Sequence, residues 1–292
     1  MKRLLIIGCG DIALRAIPLL VKRYRVVALV RNRLRFRLLR DMGVMPVLGD
    51  LDDRISLLRL AGLADIVLHF APPPNSGTHD PRTRHLLAAL SKSHLPGRLI
   101  YISTSGVYGD CGGAAVNETR VLHPQTDRAY RRADAEKQIR LWSARNGVNT
   151  CILRVPGIYA ADRLPLERIR QGTPAISAGE DSYTNHIHAD DLVRIVNAAI
   201  RRGKPNRVYH ASDDSGLKMG DYFDAVADAY GLAHPLRISR AEALLLLPES
   251  LLSFMKESRR LSNERMKREL KVALLYPTLT KMLGEAAGPS LD

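Results

Sequence analysis

The sequence has few cysteines, a single tryptophan and no long apolar run. The three cysteines among its 292 residues, Cys9, Cys111 and Cys151, lie far apart, and none belongs to a Cys-x-x-Cys pair. This spacing indicates neither a disulfide framework nor a zinc motif, so we expect a protein of the reducing cytoplasm. No segment approaches the roughly 20 apolar residues that cross a bilayer, so we predict a soluble protein without a membrane partner.

The chain is also short of acidic residues relative to basic ones. It carries 30 Asp and Glu against 44 Lys and Arg, a formal net charge of +14. This balance favours an acidic partner, namely a phosphorylated cofactor, an anionic substrate or nucleic acid, although a generally basic solvated surface is the alternative. With 46% hydrophobic and 25% charged residues, the composition is that of an ordinary globular protein.

A turn with two glycines follows the apolar segment 4–7. The turn has the pattern Gly-x-Gly-x-x-Ala and consists of Gly8, Cys9, Gly10, Asp11, Ile12 and Ala13. Gly8 permits the tight turn, Gly10 lets the backbone approach a pyrophosphate, and Ala13 lets a helix pack on the strand. Because the helix start also offers unpaired N–H groups and a positive dipole end, we predict that these six residues bind a dinucleotide.

Apolar strand-like segments alternate with helical segments along the chain. We predict strands at 4–7, 25–30, 44–48, 65–70, 98–103, 149–155 and 207–211, and helices at 14–22, 34–42, 55–60, 80–92, 128–145, 166–171 and 189–202. Since each strand is apolar throughout, the sheet must be parallel and covered on both faces. The pattern therefore predicts an α/β fold, a Rossmann-type doubly wound parallel sheet of about seven strands.

Two interruptions of this rhythm suggest a second unit. Segment 156–184 is irregular, and the chain after residue 212 is predicted to be mainly helical. We therefore expect an NADP-binding Rossmann domain, residues 1–155 with 185–211. A smaller, mostly helical substrate-binding lobe would consist of residues 156–184 with 212–292.

Three further motifs suggest a family. They are Tyr-Ile-Ser-Thr-Ser-Gly-Val-Tyr-Gly at 101–109, Leu-Arg-Val-Pro-Gly-Ile-Tyr at 153–159 and Asn-His-Ile-His-Ala-Asp-Asp at 185–191. Together with the glycine turn, they resemble the extended and atypical short-chain dehydrogenase/reductases of the NAD-dependent epimerase/dehydratase type. The resemblance covers roughly residues 1–215. It implies hydride transfer at a carbonyl or carbinol carbon of a small molecule, for which an anionic compound or a nucleotide-sugar is the candidate, and a homodimer formed through helices 80–92 and 128–145.

The end of the second strand indicates which cofactor is preferred. NAD-binding sheets usually carry an acid there that binds the ribose 2′-hydroxyl. Arg31 and Arg33 stand there instead, and guanidinium groups can bind a 2′-phosphate, so the sequence favours NADP(H) over NAD(H). The alternative is that Arg33 and the arginines after it only line a solvated helix face. The resemblance adds Asp50, Leu51, Phe70, Ala71, Pro72 and Pro156 as cofactor contacts.

The catalytic residues depart from the family pattern. Members of the family use a Ser or Thr hydroxyl and a Tyr-x-x-x-Lys pair on one helix. In this sequence Thr104, with Ser105 beside it, matches the hydroxyl and Tyr130 matches the tyrosine. Asp134 occupies the position of the lysine. A carboxylate would raise the pKa of the tyrosine instead of lowering it. Lys137, one turn further, could replace the missing charge, whereas Arg131 and Arg132 are expected to point elsewhere.

Substrate contacts are expected after the sixth strand. We assign Tyr159, Arg163 and His186 to the substrate pocket. His186 and His188 alternate as metal ligands can, but no carboxylate or cysteine completes a shell, so no metal is expected. No recognition motif accompanies the arginines, so no nucleic-acid partner is expected. Because the lysine is missing, a non-catalytic NADP(H) sensor or scaffold is the second hypothesis.

Overall fold

A computed structural model describes residues 1–248, 251–252 and 255–286. Its strands are β1 Arg3–Ile7, β2 Arg25–Val30, β3 Met45–Leu48, β4 Ile66–His69, β5 Arg98–Thr104, β6 Ala115–Val116, β7 Asn149–Val155, β8 Gly157–Tyr159, β9 Ala175–Ile176, β10 His186–His188, β11 Arg207–His210, β12 Arg237–Ile238 and β13 Arg260–Leu261. Seven of these strands form one parallel sheet in the order β11-β7-β5-β4-β1-β2-β3. The predicted doubly wound Rossmann-type sheet is confirmed.

Nine α-helices lie wholly within the described residues. They are α1 Asp11–Leu20, α2 Phe36–Asp41, α3 Pro81–Leu90, α4 Asp127–Asn146, α5 Leu166–Arg170, α6 Ala189–Arg202, α7 Met219–Ala229, α8 Arg240–Leu246 and α9 Leu279–Ala286. The helix predicted at 55–60 is wrong, because only a 3₁₀ turn forms at Leu58–Leu60 and the Asp53 side chain accepts from the Ile55 backbone N–H. Among the described helices, none has the length and apolarity to cross a bilayer.

Alternate side chains of each central strand serve two hydrophobic layers. In β1, Leu4 and Ile6 pack with α1 and α6 on one face, whereas Leu5 and Ile7 pack with α3 and α4 on the other. All four side chains are fully buried. Because both faces are covered, the strands are apolar without alternation, which is why their positions could be read from the sequence.

The second half of the chain builds a smaller cluster beside the sheet. Tyr159 packs there with residues from α5, α7 and α9, and β9 pairs with β12. The chain after residue 212 is not helical throughout, because β13 pairs with β6 and the π-helical turn Met266–Leu270 packs on α6. The division into two domains stays a prediction, and residues 249–250, 253–254 and 287–292 of the predicted lobe lie outside the described residues.

A buried ion pair ties the sheet to α4. Arg154 of β7 donates to both carboxylate oxygens of Glu136, at 3.0 and 2.7 Å, and the side chains are only 3% and 2% exposed. The same guanidinium donates to the Tyr108 hydroxyl at 2.5 Å, and that hydroxyl lies 2.6 Å from His210 Nε2. These contacts hold the turn after β5, and so the end of the strand that carries Thr104.

The homodimer expected through α3 and α4 stays a prediction. Tyr130 and Leu141 of α4 are 46% and 58% exposed.

Candidate functional site

A first cavity of about 600 Å³ opens at the carboxyl ends of β1, β2 and β3. The glycine turn forms its floor. Gly8 has a φ of +92°, and a Cβ there would lie 2.3 Å from the backbone nitrogen of Ala71, so only glycine fits. A Cβ on Gly10 would meet no protein atom within 4 Å, which leaves its backbone open to a ligand. All six residues of the turn border this cavity.

Asp11, in the first turn of α1, is paired with two arginines. Asp11 pairs with Arg15 at 2.9 Å and with Arg163 at 2.8 Å, and Arg15 also pairs with Asp162 at 2.6 Å. The two guanidinium groups counter the negative charge that Asp11 places at the helix start. Arg163, predicted to contact substrate, instead borders the first cavity.

The arginines after β2 divide into two groups. Arg31 and Arg35 border the first cavity, and Arg35 Nη1 donates to the Cys9 carbonyl at 2.6 Å. Arg33 is exposed and does not border the cavity. Residues Arg33–Arg35 form a 3₁₀ turn that begins at Asn32, whose side chain accepts from the Leu34 backbone N–H. This turn determines which of the two arginine side chains points to the cavity. Within this segment the second arginine at the cavity is therefore Arg35 and not Arg33, although the alternative interpretation placed Arg35 on a solvated helix face.

Most other predicted cofactor contacts lie at the same cavity. Asp50, Leu51, Phe70, Ala71 and Pro72 border it. Pro156, in contrast, borders only the neighbouring cavity.

A second cavity of about 570 Å³ adjoins the first. Thr104, Ser105 and His186 border it, and Pro72, Ile102, Ile158 and Arg132 border both cavities. Thr104 Oγ1 accepts from the Gly106 backbone N–H at 3.2 Å, which leaves its hydroxyl proton to donate into the cavity. A hydroxyl is thus held at the second cavity, two residues along β5 from Ile102, which borders both cavities.

The structure does not bring Tyr130 to this site. Its side chain is 46% exposed, and it borders neither cavity. Asp134 faces the start of α3, where its carboxylate accepts from the Asp80 backbone N–H at 2.8 Å and from Gln138 at 2.6 Å. Lys137 is exposed and also borders neither cavity.

Other residues of α4 face the second cavity instead. Arg128, Arg131 and Arg132 border it, so the expectation that Arg131 and Arg132 point elsewhere is wrong. Arg132 Nη1 donates to the Ile102 carbonyl at 2.8 Å and to the Tyr101 hydroxyl at 3.0 Å. The spacing i, i+3, i+4 is the sequence signal that places these three on one helix face.

The segment before β13 closes the other side of the second cavity. Arg259 Nη1 donates to the Gly109 carbonyl at 2.7 Å, and Arg259 Nη2 donates to Glu257 at 2.9 Å. Glu257 Oε2 and Thr104 Oγ1 lie 3.8 and 3.6 Å from the point that a Cβ on Gly106 would occupy. No sequence motif marks this contribution.

The predicted aromatic and histidine contacts differ in their surroundings. Tyr159 is 1% exposed, lies in the small cluster beside the sheet and borders neither cavity. His186 stacks on Tyr222 with ring centroids 4.2 Å apart, and burial lowers its pKa to about 4, so it is neutral near pH 7. His188 accepts from the Asp190 backbone N–H at the start of α6. Within the part of the chain that the structure describes, no three metal-ligating side chains come together.

This arrangement, a glycine-turn cavity joined to a hydroxyl-bearing cavity at the carboxyl edge of a parallel sheet, is that of a dinucleotide-dependent α/β protein. The model of the NAD dependent epimerase/dehydratase family matches residues 16–212. The chain belongs to this family.

Individual relatives are distant. A 4-hydroxy-2-methyl-3-oxo-4-farnesyl-3,4-dihydroquinoline-1-oxide ketoreductase from Stigmatella aurantiaca is 24% identical over 82% of this chain and 77% of its own length. The solved structure of a functionally unknown conserved protein from Silicibacter pomeroyi DSS is 28% identical, with a TM-score of 0.79 over 97% of both chains. A dTDP-glucose 4,6-dehydratase from Streptomyces venezuelae, solved with NAD bound, is 21% identical, with a TM-score of 0.77 over 98% of this chain and 95% of that one.

Proposed function

We propose that the protein is an NADP(H)-dependent oxidoreductase acting on a carbonyl or carbinol carbon of a small molecule. The observation that carries this proposal is the meeting of the two cavities at the end of β5, where Arg132 borders both cavities and Thr104 borders the second. The related dehydratase holds NAD, and another relative is named a ketoreductase. Both support a nicotinamide cofactor in the first cavity and a reducible group in the second.

The residues at the junction have complementary roles. A nicotinamide cofactor supplies or accepts the hydride when it is bound. Thr104 donates a hydrogen bond to the substrate oxygen and so polarises the carbon–oxygen bond, and the alkoxide that hydride addition forms takes its proton from water. Arg132 keeps a permanent positive charge beside that oxygen, which stabilises negative charge that develops there. In this proposal Arg132 supplies the charge that the missing lysine would provide.

The two glycines of the turn give a matched test of the cofactor cavity. Gly10→Ala is expected to leave the melting temperature within a few degrees, because its Cβ meets no protein atom, but to weaken NADPH binding at least tenfold. Gly8→Ala is expected to lower the melting temperature as well, since its Cβ would overlap the backbone of Ala71. Thermal unfolding and NADPH fluorescence titration measure both effects. Unchanged NADPH affinity in Gly10→Ala would place the cofactor elsewhere.

The preference for the 2′-phosphate is expected to depend on Arg31 and Arg35. NADPH should bind at least tenfold tighter than NADH to the wild type, and Arg31→Ala or Arg35→Ala should remove most of that difference by weakening NADPH alone. Arg33→Ala is the control, because Arg33 does not border the cavity. Direct titration with both cofactors measures the ratio; equal affinities in the wild type contradict the NADP(H) assignment.

A non-catalytic NADP(H) sensor or scaffold is the second candidate. Its support is that Tyr130 and Lys137 both lie outside the two cavities. Incubating the protein with NADPH or NADP⁺ and a panel of carbonyl compounds, alcohols and nucleotide-sugars separates the two functions. Turnover that depends on Thr104 supports the enzyme, whereas tight cofactor binding without turnover across the panel supports the sensor.

A further inference from the structure

The second cavity has an unusual excess of positive charge. Among the described residues, its walls carry five arginines and one carboxylate, Glu257. The arginines are Arg128, Arg131, Arg132, Arg168 and Arg259. Guanidinium groups remain charged at any physiological pH, so this charge cannot be removed by deprotonation.

Neutral acceptors hold several of these guanidinium groups in place. Arg131 Nη1 donates to the Gly77 carbonyl at 2.5 Å, and Arg132 donates to a backbone carbonyl and a tyrosine hydroxyl. Arg259 pairs with Glu257 at 2.9 Å. Hydrogen bonds to neutral oxygens orient an arginine without cancelling its charge, so the cavity keeps a positive potential.

The burial of this charge makes a bound anion favourable. Arg131 is 6% exposed, and its Nε is buried without a hydrogen-bond partner in the described structure, as is the Nε of Arg259. Burial lowers the pKa of Arg128, and repulsion from Arg132, Arg131 and Arg259 adds to this effect against the attraction of Glu257. Like charges crowded into a partly buried cavity are costly unless a ligand supplies the opposite charge.

The position of the cluster limits the shape of the ligand. Arg128, Arg131 and Arg132 lie within about one helical turn, so their Cα atoms span roughly 6 Å along α4. Arg132 also borders the first cavity, and Thr104 borders the same second cavity. A charged group bound by these arginines would therefore lie beside the carbon that reacts.

We propose that the substrate is a small oxo or hydroxy compound with a carboxylate or phosphate group within a few bonds of the reacting carbon, and that Arg131 and Arg132 bind this group. The inference rests on the proposed oxidoreductase function and narrows its substrate class. Carboxylates and phosphates share the planar, bidentate recognition that arginine provides. A nucleotide-sugar, whose phosphates lie at the far end of the molecule from the reacting sugar carbon, does not match this placement.

Binding measurements with matched probes test the proposal. Calorimetric titrations would compare 2-oxobutanoate with its methyl ester, and dihydroxyacetone phosphate with dihydroxyacetone. Each titration is run with and without NADP⁺, because the oxidised cofactor cannot reduce an oxo compound. One of the two anions is expected to bind at least tenfold tighter than its neutral counterpart. If 2-oxobutanoate is the anion that binds more tightly, the site takes a carboxylate; if dihydroxyacetone phosphate is, the site takes a phosphate.

Variants of α4 then locate the anion. Arg131→Met and Arg132→Met should each weaken the favoured anion at least tenfold and leave the neutral probe within twofold. Arg145→Gln, at the exposed end of the same helix, should change neither. If a methionine variant fails to fold, Arg131→Lys serves instead. It keeps the positive charge but loses the bidentate guanidinium, so we expect a smaller loss of anion affinity.

The outcomes separate this inference from the proposed function. Equal binding of charged and neutral probes, anion binding that the α4 variants leave unchanged, or UDP-glucose binding tighter than both anions overturns the inference. Anion binding that needs Arg131 but is accompanied by no turnover with either nicotinamide contradicts the oxidoreductase and leaves the anion site standing. Turnover of neutral carbonyl compounds without any preference for anions supports the oxidoreductase and overturns the anion site.

Discussion

Thr104→Ala is expected to lower kcat by about 100-fold or more while KM changes little. Thr104 borders the second cavity, where a backbone N–H fixes the position of its hydroxyl oxygen. Removing one preorganised donor to a developing oxyanion typically costs about 10²–10³ in kcat. Because this interaction strengthens as charge develops on the substrate oxygen, its loss appears in kcat more than in substrate binding.

Tyr130→Phe is the matched comparison for this prediction. Because Tyr130 is outside both cavities, its loss should change kcat by less than about threefold. Steady-state kinetics with NADPH and a turned-over substrate measure both variants. A large loss in Tyr130→Phe together with near-normal turnover in Thr104→Ala would restore the sequence-based assignment of Tyr130 and remove Thr104 from the mechanism.

Breaking the buried pair Arg154–Glu136 should have the largest effect on stability. Glu136→Gln or Arg154→Met would leave one charge buried without its partner, and such changes cost about 3–5 kcal/mol of unfolding free energy. The double variant Arg154→Met with Glu136→Leu should recover part of the loss, because it removes both charges. Urea unfolding measures the free energies.

The surface pair Arg82–Asp52 provides the control for this second prediction. Its distance of 2.6 Å is as short as that of the buried pair, but Asp52 is 51% exposed. Asp52→Asn should therefore cost less than about 1 kcal/mol, as exposed pairs do. If Glu136→Gln lowers the free energy of unfolding no more than Asp52→Asn does, burial of the Arg154–Glu136 pair does not increase its contribution to stability.

The large sheet could be predicted from the sequence because burial on both faces leaves a plain signal. The seven predicted strands match the observed ones within about two residues, as continuous apolar runs allow. The pairing of β13 with β6 could not be predicted in the same way. Two residues, Arg260 and Leu261, have no periodicity to detect, and their partner lies far away in the chain.

The site was harder to predict because it depends on the rotation of one helix. Successive residues of a helix point about 100° apart, so the rotation of α4 about its axis decides whether Tyr130 or Arg131 faces the cavity. The bonds of Asp134 to the start of α3 turn residues 130 and 134 away from the site. Those bonds are tertiary, and nothing in the local sequence of α4 reveals them.

The same reasoning applies to the arginines after β2. Arg31 borders the first cavity, as could be expected of a residue that directly follows β2. Arg33 and Arg35 are separated by a turn whose direction depends on the Asn32 cap, so alternation along the sequence could not decide which of them faces the cavity.

The contact of residues 257–261 with the turn after β5 has a consequence for how the molecule assembles during synthesis. The seven strands of the sheet and the glycine turn are complete once residue 210 has been made, so a nascent chain of that length already holds the elements of the first cavity. The wall formed by Glu257 and Arg259 is added only some fifty residues later. Since domains generally fold as units from the N-terminal side, cofactor capture can precede the formation of the reaction chamber, and a bound dinucleotide could stabilise the sheet while the remaining chain closes over it.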